Sequence, residues 1–187
     1  MIETEAIYSF EEYCQYDNGT ENRYELVDGK LELMNPPRVR HLLIAKYLEQ
    51  CFDAEIERRA LPWVCFKEAG VRTGWQKSRL ADLLIIPREA ALELLDQTAI
   101  FQTVPQLVVE IVSPDSVTRD YRYKRSEYAA SGVPEYWIVD PLEKRVTVLI
   151  LNEGLYDEMV FTGEDRIISN QLELAVAVKQ VLASGLE

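Results

Sequence analysis

Two strongly apolar segments of the chain each contain a single carboxylate. Residues 79–87 (RLADLLIIP) hold Asp82, and residues 105–114 (PQLVVEIVSP) hold Glu110. Short apolar runs bounded by turn residues predict buried β-strands. A carboxylate isolated in such a strand costs several kcal/mol unless it is paired, hydrogen-bonded or bound to a metal. A divalent cation held by both side chains would remove that cost.

The helical and turn signals surround these two strands. Asp28-Gly29 divides two alternating runs within residues 24–34, which predicts a β-hairpin with a type I′ turn. Apolar residues recur at helical spacing from Val39 to about Arg59, and Gly132 ends a second helix over residues 116–131. The other expected elements are a helix at 5–16 with a Ser9–Glu12 capping box, strands at 62–73, 135–140, 145–151, 155–161 and 166–174, a short helix at 88–95 and a last helix from about Ala175.

This order of elements predicts a mixed α/β (α+β) fold, in which helices flank one central mixed β-sheet. With 187 residues and no break in composition, the chain is expected to form one domain over residues 1–187, with the first helix and the hairpin as an N-terminal extension. No run of about 18 apolar residues is present, and the N-terminus is acidic, unlike a signal peptide. We therefore expect a soluble cytoplasmic protein with no membrane partner.

Charge and cysteine content exclude two further classes. A net charge of −12 argues against a protein that coats nucleic acid through a general positive field, although a local basic groove stays possible. Cys14, Cys51 and Cys65 form no CxxC pair, and His41 is the single histidine, so a structural zinc site has too few ligands. Reduced thiols are expected.

A lysine is predicted to approach the two carboxylates from the helix that follows Glu110. Val117, Tyr121 and Tyr128 lie within about 40° of one another on that helix and should face the sheet, with Lys124 in the middle of their stripe. A lysine that points at a sheet needs an anionic neighbour. Carboxylates that hold Mg²⁺, with a lysine that orients water or offsets charge on the phosphate, are the parts of a hydrolytic phosphodiester site.

Residues 107–141 resemble the signature of a bacterial family of restriction-endonuclease-like proteins, which belongs to the PD-(D/E)XK nuclease superfamily. The resemblance is carried by VEIVSP at 109–114, YAASGVPEYW at 128–137 and VDP at 139–141, and it extends to YELVDG at 24–29. It implies a restriction-endonuclease-like core and a metal-dependent endonuclease that hydrolyses DNA phosphodiester bonds with Mg²⁺ or Mn²⁺.

The resemblance also implies roles for four residues. Asp82 and Glu110 match the metal-binding acids of the superfamily, although Ala81 stands where a proline usually precedes the first acid. The superfamily lysine usually lies two residues after the second acid, where this chain has Val112, but Lys124 matches a lysine that this family carries in the following helix. Glu25 resembles the extra acidic residue that many such nucleases contribute from an N-terminal element.

Basic residues on the same helix are candidates for contact with DNA. Arg119, Arg122 and Arg125 join Lys124 against a single acid, Asp120. Beside the site they could bind the phosphate backbone, although such a run is also typical of a solvated helix face. A homodimer is expected, because a two-fold dimer is the simplest way to cut both strands of a duplex.

Structural alternatives accompany each assignment. Asp82 could pair with Arg79, Lys124 could extend past aromatic residues to solvent, and Glu25 could lie on the exposed side of its hairpin. His41 is interpreted as a helix-face or cap residue rather than a base, and Tyr136 and Trp137 as core or dimer-interface residues. At the level of function, the alternatives are a catalytically silent nuclease-like domain that binds DNA or a protein, and a structural homodimer.

Overall fold

A computed structural model describes residues 6–184 of the chain, which form five α-helices, one π-helical segment and eleven strands. In chain order these are α1 (Phe10–Cys14), β1 (Tyr24–Val27), β2 (Lys30–Leu33), α2 (Val39–Arg58), β3 (Trp63–Gly74), β4 (Lys77–Pro87), α3 (Arg88–Glu93), β5 (Ile100–Phe101), β6 (Leu107–Ile111), the π segment (Arg119–Lys124), α4 (Arg125–Ser131), β7 (Glu135–Asp140), β8 (Arg145–Asn152), β9 (Leu155–Thr162), β10 (Arg166–Ile168), β11 (Ala175–Ala177) and α5 (Val178–Leu182).

The central sheet is mixed and follows the order β2-β1-β4-β6-β7-β8-β9, with β3 paired to β4 and β5 paired to β3. The pairs β6–β7 and β3–β5 are parallel, and the other described pairs are antiparallel. Strands β10 and β11 form a separate two-stranded sheet. The prediction of a mixed central sheet flanked by helices is confirmed.

The buried strands contribute alternate residues to two cores. Leu83 and Ile85 of β4 pack with the buried face of α2 and with α5, whereas Leu84 and Ile86 pack with residues of α3 and α4. Because both faces of β4 are covered over residues 83–86, that part of its sequence is continuously apolar. The regular alternation of β4 side chains between the two cores is interrupted at Asp82, because Ala81 packs in the same core as Leu84. On the neighbouring strand β3, the residue opposite Asp82 is Glu68, which has a left-handed backbone conformation with φ 53°.

The second edge of β4 leaves a gap between two partner strands. On this edge β1 pairs only at Ser78 and β6 only at residues 83–85, so within the described pairings residues 79–82 have no strand beside them. Backbone groups without a ladder partner must be satisfied in another way. This gap is where side chains from β1 and from the helix after β6 reach the sheet.

That helix, residues 117–131, contains the π segment in its first half. The wider π turn changes which residues share a face. Val117 is 41% exposed, so the prediction that it faces the sheet is wrong, because the regular helical period does not hold across the π turn. Lys124 and Tyr128 are buried as predicted.

Most of the remaining local predictions are confirmed with small shifts, but of the strand predicted over residues 166–174 only Arg166–Ile168 form a strand. Asp28 and Gly29 both have positive φ, as a type I′ turn requires, and the hairpin joins the central sheet through β1. The Ser9–Glu12 capping box is present on α1, which is shorter than predicted, and the predicted start at Glu5 lies outside the described residues. The last helix begins at Val178 rather than near Ala175, because residues 175–177 pair with β10.

Two further expectations concern aromatic packing and membranes. Tyr136 and Trp137 are fully buried, so they belong to the core rather than to an exposed interface. Among residues 6–184, no helix is both long and apolar enough to cross a membrane.

Candidate active site

A cavity of about 510 Å³ opens at the gap beside β4. Among the ionisable residues that line it are three of the predicted site residues, one of the predicted arginines and two residues that the sequence did not assign to the site. These six are His41, Asp82, Glu110, Arg119, Asp120 and Lys124.

Asp82 lies at the mouth of the gap with its side chain about one-fifth exposed. Its Oδ2 accepts a hydrogen bond of 2.6 Å from the backbone N–H of Ile111, which fixes the carboxylate against the end of β6. Its Oδ1 lies 2.9 Å from Nε2 of His41, which α2 supplies. The alternative in which Asp82 pairs with Arg79 is wrong, because Arg79 binds other carboxylates.

Glu110 is buried at 2% exposure, and both of its oxygens have partners. The hydroxyl of Tyr128 donates to Oε1 over 2.7 Å, and the Lys124 ammonium lies 2.8 Å from Oε2. Burial raises the pKa of Glu110 well above its usual range, with Asp82 and Asp120 adding to the rise and Lys124 opposing it. Contacts to both oxygens therefore fix the side chain in place.

The Lys124 ammonium has three acceptors for its three donors. Nζ lies 2.8 Å from Oε2 of Glu110, 3.0 Å from Oε1 of Glu25 and 3.0 Å from the carbonyl oxygen of Leu80. Burial alone would lower the pKa of Lys124, but the carboxylates of Glu110 and Glu25 outweigh it and raise the pKa. The lysine does not reach solvent, so the alternative that it extends outward is wrong.

Glu25 is fully buried and faces the site rather than the exposed side of its hairpin. It accepts from the backbone N–H of Leu80 over 3.1 Å and pairs with Nη1 of Arg79 over 2.8 Å. Burial would raise the pKa of Glu25, but Lys124 and Arg79 outweigh it and lower the pKa. Glu25 and Lys124 together satisfy the amide and carbonyl that Leu80 presents at the gap.

Arg79 continues this pairing away from the cavity. Its guanidinium holds Glu127 of α4 with two hydrogen bonds of 2.7 Å, from Nε and from Nη2. Five charges of alternating sign thus run from the helix surface to the cavity. We refer to Glu127, Arg79, Glu25, Lys124 and Glu110 as the ion chain.

Two side chains of the π segment each have a buried polar atom without a hydrogen-bond partner. Asp120 Oδ1 has no hydrogen-bond partner, although Ser116 donates to its other oxygen. Nε of Arg119 also lacks a partner and lies 3.7 Å from Asp120 Oδ1. Unsatisfied buried groups are unfavourable, so this corner of the cavity suits an additional ligand.

The three predicted DNA-contacting arginines are in different places. Arg119 lines the cavity, Arg122 is exposed on the outer face of the helix, and Arg125 pairs with Glu158 of β9 over 2.7 Å. Their role in binding DNA stays a prediction.

Asp82 and Glu110 both line the cavity and are the predicted ligands of a divalent cation of the Mg²⁺ type. Within residues 6–184 no three His, Cys, Asp or Glu side chains are close enough to hold an ion by themselves. Mg²⁺, however, uses one or two carboxylates and takes its other ligands from water and substrate phosphates. The unpartnered oxygen of Asp120 in the same cavity adds further acidic character.

Sequence reasoning missed His41 and Asp120 as residues of the site. His41 lies 41 positions before Asp82 in the chain and carries no local signal beyond being the single histidine. Asp120 stood inside a run of basic residues, where a single acid is ordinarily a surface ion-pair partner. Burial raises the pKa of Asp120, an effect only the folded structure produces.

Comparison with known proteins agrees with this architecture. The crystal structure of a "putative nuclease belonging to DUF820" from Anabaena variabilis has a TM-score of 0.78 and 19% identity, and the match covers 95% of this chain and 99% of that chain. This likeness shows a nuclease-like fold. No curated protein matches the chain. The model of the Uma2 family, described as "Putative restriction endonuclease", matches residues 10–179, and the chain belongs to this family.

Proposed function

We propose that the protein is a metal-dependent endonuclease that hydrolyses DNA phosphodiester bonds. The observation that carries the proposal is the convergence of Asp82, Glu110 and Lys124 in one cavity, with the lysine bonded directly to the second carboxylate. Membership of the family supports a nuclease function. The dependence on metal, the choice of DNA and internal cleavage are our inferences from the site.

The charge of the cavity supports a requirement for a cation. Six acidic and four basic side chains line it. A phosphodiester is itself anionic, so an acidic cavity repels it unless bound cations reverse the local potential. A divalent ion would meet this need.

Each residue of the site would then have its own role in hydrolysis. Asp82 and Glu110 would hold Mg²⁺ or Mn²⁺, which when bound supplies polarisation of the phosphate and a lower pKa for its water. Lys124, fixed by its three acceptors, would stabilise negative charge that develops on the phosphate. Glu25 would act through Lys124, because it is fully buried and is not among the residues that line the cavity.

Tag-free protein incubated with supercoiled plasmid should nick it in the presence of Mg²⁺ or Mn²⁺ and not in the presence of excess chelator. The chelator arm is the control, because it removes the ion and leaves the chain unchanged. Nicking that is equally fast with chelator would contradict the metal requirement, and a lack of nicking with any divalent ion would contradict the activity. Appearance of linear product together with nicked circles would support the predicted homodimer.

Arg119 is expected to bind the substrate phosphate through its unpartnered Nε. Arg119→Ala should raise KM by about ten- to a hundredfold, because a hydrogen bond to a charged group contributes about 1.5–3 kcal/mol. Arg125→Ala is the matched control, since Arg125 pairs with Glu158 and does not line the cavity. Steady-state cleavage of an oligonucleotide measures both variants, and equal effects on KM would refute the role of Arg119.

One observation favours the silent-domain alternative. Every donor of Lys124 and both oxygens of Glu110 already have partners inside the protein, as in a purely structural network. Calorimetric titration with Mn²⁺ separates the two functions. Stoichiometric binding that is lost in Asp82→Asn supports the nuclease, and no binding supports a silent domain that contacts DNA or a protein.

A further inference from the structure

The single histidine of the chain meets the first candidate metal ligand. His41 is the third residue of α2, and its Nε2 lies 2.9 Å from Oδ1 of Asp82. Both side chains are about four-fifths buried and line the cavity. A buried imidazole beside a carboxylate is either a hydrogen-bond partner or a neighbouring ligand of the same ion.

The distance between the two atoms fits a shared ion. Neighbouring ligands of an octahedral ion, at bond lengths of about 2.1 Å and right angles, are about 3 Å apart. His41 and Asp82 are already at this separation, so an ion could contact both atoms without a large movement of either side chain. The imidazole would carry its proton on Nδ1 and present the lone pair of Nε2.

The surroundings leave room for the other ligands of such an ion. Asp120 Oδ1 is buried in the same cavity without a hydrogen-bond partner. In residues 6–184 no three His, Cys, Asp or Glu side chains are close enough to hold an ion together. Glu110, whose oxygens are bound by Tyr128 and Lys124, would therefore contact this ion through water, and water and phosphate oxygens would occupy the remaining positions. The site thus offers one nitrogen and few oxygens of its own.

We propose that His41 is a nitrogen ligand of the catalytic cation, next to Asp82, and that it biases the site toward a divalent transition metal over Mg²⁺. The inference rests on the proposed function, because it takes Asp82 as a cation ligand. Mg²⁺ prefers oxygen ligands, whereas imidazole nitrogen favours first-row transition ions. A site with one imidazole and one carboxylate should therefore bind a transition ion more tightly than Mg²⁺, by a larger margin than a site with carboxylates alone.

Pulsed electron paramagnetic resonance of Mn²⁺-loaded, tag-free protein tests the inference directly. A nitrogen ligand on Mn²⁺ produces a characteristic modulation of the spin echo, and since the chain has one histidine, an imidazole signal can come only from His41. We expect the signal in the wild type and its loss in His41→Gln. Calorimetry should show a fall in Mn²⁺ affinity of about tenfold or more and a much smaller change for Mg²⁺.

The outcomes separate this inference from the proposed function. If Mn²⁺ binds the wild type at one site but shows no imidazole modulation, His41 is not a ligand, and the nuclease proposal stands. If His41→Gln keeps the Mn²⁺ affinity, His41 only donates a hydrogen bond to Asp82, a role that glutamine can also fill. If Mn²⁺ does not bind the wild type at all, both proposals fail together.

Discussion

Replacing Glu110 by glutamine should abolish metal-dependent nicking while the protein stays folded. Glutamine keeps the size of the side chain and an oxygen that can accept from Tyr128, whose hydroxyl lies 2.7 Å from Oε1. It removes the charge that a cation requires. We expect the nicking rate to fall at least about a thousandfold, because a bound ion contributes several kcal/mol to the transition state. Asp82→Asn should have the same effect.

A neighbouring acid provides the matched control. Asp115 lines the same cavity but is exposed, so Asp115→Asn removes an equal charge without touching the buried groups. Its nicking rate should stay within about threefold of the wild type, since exposed charges interact weakly through solvent. Thermal unfolding would verify that each variant is folded. Full activity in both Glu110→Gln and Asp82→Asn would rule out these residues as the metal site.

Local signals predicted most of the fold because each depends on few neighbouring residues. Asp28-Gly29 specifies a two-residue turn through its backbone conformation, and Gly132 ends α4 with a φ of 83°. The β4 and β6 segments were recognisable because both of their faces are buried. The π segment had no such signal, and it displaced Val117 from the face on which a regular helix would have put it.

The site was predictable only in part, because its contacts join distant parts of the chain. Asp82 and Glu110 stood out as charges in apolar strands. Arg79, the predicted alternative partner of Asp82, pairs with Glu25 and Glu127 instead. The true neighbour, His41, comes from a helix that the sequence alone cannot orient on the sheet.

Glu25 is buried beside Lys124 and is not among the residues that line the cavity. The family resemblance implied an extra acid that assists the chemistry, and the structure has Glu25 fully buried between Lys124 and Arg79. The ion chain therefore acts as a support that fixes the lysine from behind. A buried charge is tolerated there because each member has an oppositely charged neighbour within 3.0 Å.

Arg79 is the member whose loss should affect stability most. Arg79→Met keeps a long apolar stem but leaves Glu25 with one cationic partner and removes two hydrogen bonds from Glu127. We expect the free energy of unfolding to fall by about 3–5 kcal/mol, the usual result of removing one partner from a buried ion pair. Urea unfolding should show a lower midpoint with an unchanged slope.

Two further variants show whether burial and geometry are responsible. Arg58 pairs with Glu55 on the exposed surface of α2, so Arg58→Met should shift the urea midpoint far less. Arg79→Lys keeps the charge but cannot hold both oxygens of Glu127 with a planar fork, so its stability should lie between those of the wild type and Arg79→Met. If Arg79→Met were no less stable than Arg58→Met, the pairing of Arg79 with Glu25 and Glu127 would not stabilise the fold.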